Sequence, residues 1–174
     1  MGGGNMKTTL WIALIAITSL NQASAGERVI YGKDDRKDLY EVTNPLYKQL
    51  ADSTVVLVKN NDISQNSSGV MQVNAQSFEE LMGVCKKERF SDQPSGGFCS
   101  GSLIGKNLIL TAGHCIQSMS DCQSTSFVFN YAVTKAGVYP KEVTENNVYK
   151  CSNIVHTQRI GTGADFAIVE TSRE

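Results

Sequence analysis

Along the chain, short runs rich in β-branched and aromatic residues alternate with polar, glycine-containing stretches, the pattern of short strands joined by turns. Seven such runs stand out: Ser53 to Lys59, part of Val70 to Asn74, Phe98 to Ile104, Leu108 to Thr111, Ser126 to Val133, Asn147 to His156 and Asp165 to Glu170. Gly105-Lys106-Asn107 sits between Leu103-Ile104 and Leu108-Ile109-Leu110 as a hairpin loop would. One helix is predicted over Ser77 to Lys87, where Phe78, Leu81, Met82 and Cys85 fall at i, i+3, i+4 and i+7 on one face. A polar loop, Ser91 to Gly97, follows it. There is no internal repeat, low-complexity tract or heptad pattern. This balance predicts an all-β domain, and an antiparallel sheet closed into a small barrel would bury alternate residues and leave no exposed edge.

The N-terminus follows a different pattern. Lys7 is the only charge in the first 25 residues, the apolar run Leu10 to Leu20 follows it, and Ala23-Ser24-Ala25 closes the segment. These are the basic, apolar and small-residue parts of a secretory signal peptide cut after Ala25. As a membrane anchor the run is too short, because eleven residues rise about 16 Å as a helix, roughly half of a bilayer core. The expected organisation is a signal peptide over 1–25, an exposed N-terminal arm or short propeptide over 26–52, and a barrel over 53–174. The arm carries the mixed-sign run Lys33 to Asp38, which reads as a solvated surface. Three glycines precede a second methionine, Met6, which is a candidate natural start with the first five residues an addition or a mis-called start.

Composition narrows the partners. The chain has 174 residues, 41% hydrophobic and 19% charged, which excludes a disordered or collagenous chain. Sixteen basic against seventeen acidic residues leave a net charge of −1, so there is no excess positive charge to neutralise a phosphate backbone. No nucleic-acid partner is expected, and no membrane partner once the leader is removed. All five cysteines, Cys85, Cys99, Cys115, Cys122 and Cys151, lie beyond the leader and would enter an oxidising compartment, extracellular or periplasmic, where disulfides form. Because five is odd, at least one thiol is free, pairs with another chain, or pairs with sequence not present here; if Cys99 and Cys115 are bridged to each other, which of Cys85, Cys122 and Cys151 is left over in a monomer stays open.

The chemistry concentrates in Phe98-Cys99-Ser100-Gly101-Ser102-Leu103-Ile104 and Leu108-Ile109-Leu110-Thr111-Ala112-Gly113-His114-Cys115. A strand ends at Thr111, the small Ala112-Gly113 pair permits a tight turn, and His114 is delivered at the strand's end. A bridge from Cys99 to Cys115 would close a loop of about seventeen residues, worth roughly 3 kcal/mol on a loop-entropy account. It would also fix the backbone beside the histidine, as a general base requires.

CSGSLI followed by LTAGHC resembles the trypsin/chymotrypsin-like serine proteases. The resemblance spans roughly Val29 to Glu170. It implies the first six-stranded Greek-key barrel of a two-barrel fold, a Cys99–Cys115 disulfide, and His114 as catalytic base. The start Arg28 to Arg36 looks more like the bacterial branch related to glutamyl endopeptidases, and Arg28-Val29-Ile30 loosely resembles an activation cut that would free Val29. The family's aspartate is implied at Asp165, in Asp165-Phe166-Ala167-Ile168-Val169, where its carboxylate would pair with the second ring nitrogen of His114. Asp121 is a rival without the apolar residues that follow. The nucleophilic serine expected in Gly-Asp-Ser-Gly-Gly does not occur, and Ser95-Gly96-Gly97 imitates only part of it, upstream of His114. The second barrel, with its oxyanion donors and specificity pocket, is expected beyond residue 174.

Weaker patterns are set aside. Gly101 to Asn107 is one residue short of a phosphate loop and Asn107 replaces its Ser/Thr. One histidine beside a cysteine expected in a disulfide leaves too few zinc ligands, and His156 stands apart in a strand. No metal or cofactor is expected. Asn66-Ser67-Ser68 is a glycosylation sequon that carries meaning only in a eukaryotic source. The expectation is a secreted serine endopeptidase acting on protein or peptide substrates, inactive as far as residue 174; the alternative is a protease-like barrel serving as a binding or structural module.

Overall fold

The continuous apolar run Thr54-Val55-Val56-Leu57-Val58 cannot bury one face only, since successive strand residues point to opposite sides. In the computed structural model, which describes residues 33–174, both of its faces are covered. The segment expected to be a signal peptide, the two candidate mature N-termini Gly26 and Val29, and most of the Arg28 to Arg36 start lie outside the described residues. The strands are β1 (Thr54–Lys59), β2 (Ile63–Gln65), β3 (Met71–Val73), β4 (Gln76–Ser77), β5 (Pro94–Ser95), β6 (Cys99–Leu103), β7 (Leu108–Thr111), β8 (Thr125–Phe129), β9 (Glu142–Val143), β10 (Val148–Arg159) and β11 (Asp165–Thr171). The α-helices are short: α1 (Pro45–Asp52), α2 (Phe78–Met82) and α3 (Met119–Gln123).

Six strands close into an antiparallel barrel in the order β1-β6-β7-β11-β10-β8. Val55 and Leu57 point inward with Ile109, Phe127, Ala167 and Val169 to form the core. Val56 and Val58 point outward with Val128, and the sheet β2-β3-β9 packs over them through Met71, Val73 and Val143. Two disulfides are present. Cys99–Cys115 ties the start of β6 to the turn after β7. Cys122–Cys151 ties α3 to β10 across 29 positions, which on a loop-entropy account is worth roughly 3–4 kcal/mol. Cys85, exposed, is the free thiol.

All seven predicted runs contain strands, with shifted ends. Asn130 takes a left-handed conformation (φ 57°) and turns the chain out of β8 at Phe129, so the strand expected to reach Val133 is shorter. β10 runs on to Arg159, past the expected His156, with register shifts near Cys151 and Ile154.

The helix expected over Ser77 to Lys87 is only Phe78–Met82. Ser77 caps its start by accepting from the amide of Glu80 at 3.2 Å, and Gly83, left-handed at φ 64°, ends it. Its apolar side is not a core face, since Leu81 and Met82 remain exposed. Inside the expected arm, α1 forms instead, with Pro45 at its first turn and Asn44 Oδ1 accepting from the Leu46 amide at 2.9 Å.

Among the described residues, Phe127 is the largest side chain with no solvent access, and it belongs to the barrel core. Phe127→Ala is expected to lower unfolding free energy by about 3–5 kcal/mol, read as a fall in the urea midpoint at unchanged slope.

Candidate active site

β7 ends where Thr111 turns inward, its hydroxyl donating to the Ser100 carbonyl at 2.7 Å. The chain then turns through Ala112 and Gly113, with the Cys115 amide donating to Ala112 O at 3.1 Å, and His114 projects from this turn. The Cys99–Cys115 disulfide holds the turn from behind. Asp165 stands at the first position of β11, paired in the ladder with Arg159 of β10.

The two segments, 51 residues apart in sequence, meet through both oxygens of one carboxylate. His114 Nδ1 lies 2.6 Å from Asp165 Oδ2, and the His114 backbone amide donates to Asp165 Oδ1 at 2.8 Å. The hydrogen bond from the His114 side chain, with help from the His114 amide and the charge of Arg159, holds the Asp165 carboxyl below the usual carboxylate range. Asp165 is therefore ionised at neutral pH and can only accept, so Nδ1 carries the proton of a neutral ring. Nε2 then presents its lone pair away from the carboxylate. Such an arrangement can take a proton from a hydroxyl and return it to a leaving group.

The pair is open to solvent, the side chains of His114 and Asp165 being 51% and 39% exposed. What fixes their geometry is backbone packing rather than burial. A Cβ on Gly113 would lie 2.1 Å from the Gln158 carbonyl oxygen and 3.0 Å from Asp165 Oδ1, so only glycine lets β10 and the carboxylate approach this closely.

The remaining candidates separate from this pair. Asp121 caps α3: its Oδ2 accepts from the Gln117 amide at 3.1 Å, the Ser118 amide at 3.0 Å and the Ser118 hydroxyl at 2.9 Å. The Ser118 hydroxyl foremost keeps its carboxyl low. Ser95 lies in β5, paired with Gln76. His156 stacks on Phe166 with ring centroids 5.2 Å apart. The sulfurs of Cys99 and Cys115 and a ring nitrogen of His114 lie within 4.8 Å of one another, but sulfurs bonded to each other offer no thiolate to a metal. Gln117 and Arg159, which border the pair, were not singled out from the sequence, and a contact 42 positions apart left no local signal.

Gly113→Ala is expected to separate His114 from Asp165 and to destabilise the fold by about 1–3 kcal/mol, read from urea unfolding and from loss of the His114–Asp165 hydrogen bond in NMR spectra. No curated protein and no solved structure gives a significant match to the chain. A family model described as Trypsin matches residues 71–174, from β3 to Glu174 and including both disulfides, His114 and Asp165. With more than half of its length matched and a closed six-stranded antiparallel barrel, the chain belongs to the trypsin family of serine proteases.

Proposed function

We propose that these residues are the first barrel of a secreted, extracellular or periplasmic serine endopeptidase that hydrolyses protein or peptide substrates by acyl transfer. The observation that carries this reading is the two-point contact of Asp165 with the ring and the amide of His114. His114 acts as general base and then general acid. Asp165 holds it in the Nδ1-protonated tautomer and stabilises the imidazolium that forms when Nε2 takes a proton. The attacking serine, its oxyanion donors and the second wall of the cleft come from sequence following residue 174. Family membership, the disulfides and the leader-like composition of residues 1–25 support secretion.

In the full-length gene product, His114→Ala should lower kcat by several powers of ten and Asp165→Asn by about 10³–10⁴-fold, with substrate affinity little changed. A phosphonate or sulfonyl fluoride probe should label the full-length protein on a downstream serine and leave the chain ending at Glu174 unlabelled. Labelling of the shorter chain, at Ser95 or elsewhere, would overturn the assignment of the nucleophile. Full activity of His114→Ala would overturn the protease reading, and a full-length protein that never labels would favour a binding or structural barrel.

Secretion is tested at the other end of the chain. N-terminal sequencing of the exported protein should give Gly26 after leader removal, or Val29 if a further cut after Arg28 activates the enzyme. Gly26 on the active form excludes the activation cut, and a start at Met1 or Met6 excludes the leader.

A further inference from the structure

Arg159 and Asp165 are the last pair of the β10–β11 ladder, and beyond them lies the exposed turn Ile160 to Ala164 with two glycines. The turn is closed by the Ile160 amide donating to Ala164 O and the Gly163 amide donating to Ile160 O, both at 2.9 Å, so Asp165 moves with the tip of the β10–β11 hairpin. His114 belongs to a separate segment. Beyond the main-chain contacts already described, its alignment with Asp165 depends on what fastens the turn end of the β10–β11 hairpin to the stretch that follows the histidine.

Two side chains of β10, two positions apart and so on the same face, make that connection. Thr157 donates its hydroxyl to the Ile116 carbonyl at 2.7 Å, and Arg159 Nη1 donates to Gln117 Oε1 at 3.2 Å. The other end of the same Gln117 amide, Nε2, reaches the carbonyl of His114 itself at 3.4 Å. Gln117 is held in turn, since its backbone amide donates to Asp121 Oδ2. A single amide thus spans from the guanidinium beside Asp165 to the main chain of His114.

We propose that Arg159 and Gln117 form a clasp that positions Asp165 against His114, with Arg159 as the positioning residue and Gln117 as its holder. The inference rests on the reading of His114 and Asp165 as a working pair. Neither clasp residue touches the reacting atoms: Gln117 makes no contact with the carboxylate, and Arg159 acts on it through charge and through the ladder. The charged groups that bear on Asp165 are His114 from the turn after β7 and Arg159 from β10. A guanidinium held by Gln117 keeps its charge beside the carboxylate, whereas one released into solvent is screened.

The test is a ¹³C NMR titration of the Asp165 carboxyl in the 174-residue chain and its variants. Arg159→Gln should move the midpoint upward. Gln117→Ala should also move it upward although it removes no charge, and should add nothing once Arg159 is already glutamine. An unchanged midpoint in Arg159→Gln, or a Gln117→Ala shift that persists without Arg159, would overturn the clasp. His114→Gln separates this failure from that of the pair itself. If it raises the midpoint while the Arg159 variant does not, only the clasp falls; if it leaves the midpoint unchanged, the pairing of His114 with Asp165 falls as well.

Discussion

Closure of the barrel is the constraint on which the rest of the structure depends. β1 pairs with β6 on one side and β8 on the other, and β7 pairs with β11 rather than with the strand that follows it in sequence. The chain leaving β7 must therefore cross one end of the barrel to begin β8 beside Lys59. That crossing, residues 112–124, contains His114, the fully buried Ile116, and α3 with its buried Cys122. The turn end of the β10–β11 hairpin lies at the same end, because Ala167 pairs with Thr111 and Asp165 precedes it. Strand order alone thus brings a histidine and an aspartate from distant parts of the chain to one rim.

Electrostatics does not hold the pair in place unaided. An exposed ion pair contributes little, since water and salt screen it and two side chains lose freedom to form it. Here the carboxylate is gripped by a backbone amide as well as by the ring, and the amide belongs to a turn bonded covalently to β6 through Cys99–Cys115. Gly113 adds a steric condition, packing the turn under the Gln158 carbonyl at a distance no side chain tolerates. The geometry is thus set mainly by the main chain, which reorganises less than side chains do and suits the general-base role proposed for His114.

The long connection between β1 and β6 has a different role. It contributes β2 and β3, which with β9 cover the outward valines of β1 and β8 and build a second apolar layer on the barrel wall. It also contributes α2, capped by Ser77 and ended by Gly83, whose Leu81 and Met82 stay exposed. Two short strands therefore matter more to the fold here than the amphipathic helix between them and β6, because burial follows from which strands need covering.

Much of this was legible in the chain. The positions of the main strands, the hairpin at Gly105-Lys106-Asn107, and the histidine and aspartate at their strand ends follow from local patterns, since alternation, turn residues and apolar runs act within a few residues. Local patterns also mark two helix boundaries: Asn44-Pro45 is a helix start, and Gly83 inside an apolar i, i+3, i+4 pattern is a stop. Tertiary structure decided the remainder. It decided that Cys122 and Cys151 pair and leave Cys85 free, that Asp121 caps a helix while Asp165 meets the histidine, that the pair stands half exposed, and that Gln117 and Arg159 join across it. Each of these depends on which strand lies beside which, and closing a barrel sets that order between segments tens of residues apart, where a linear pattern has no reach.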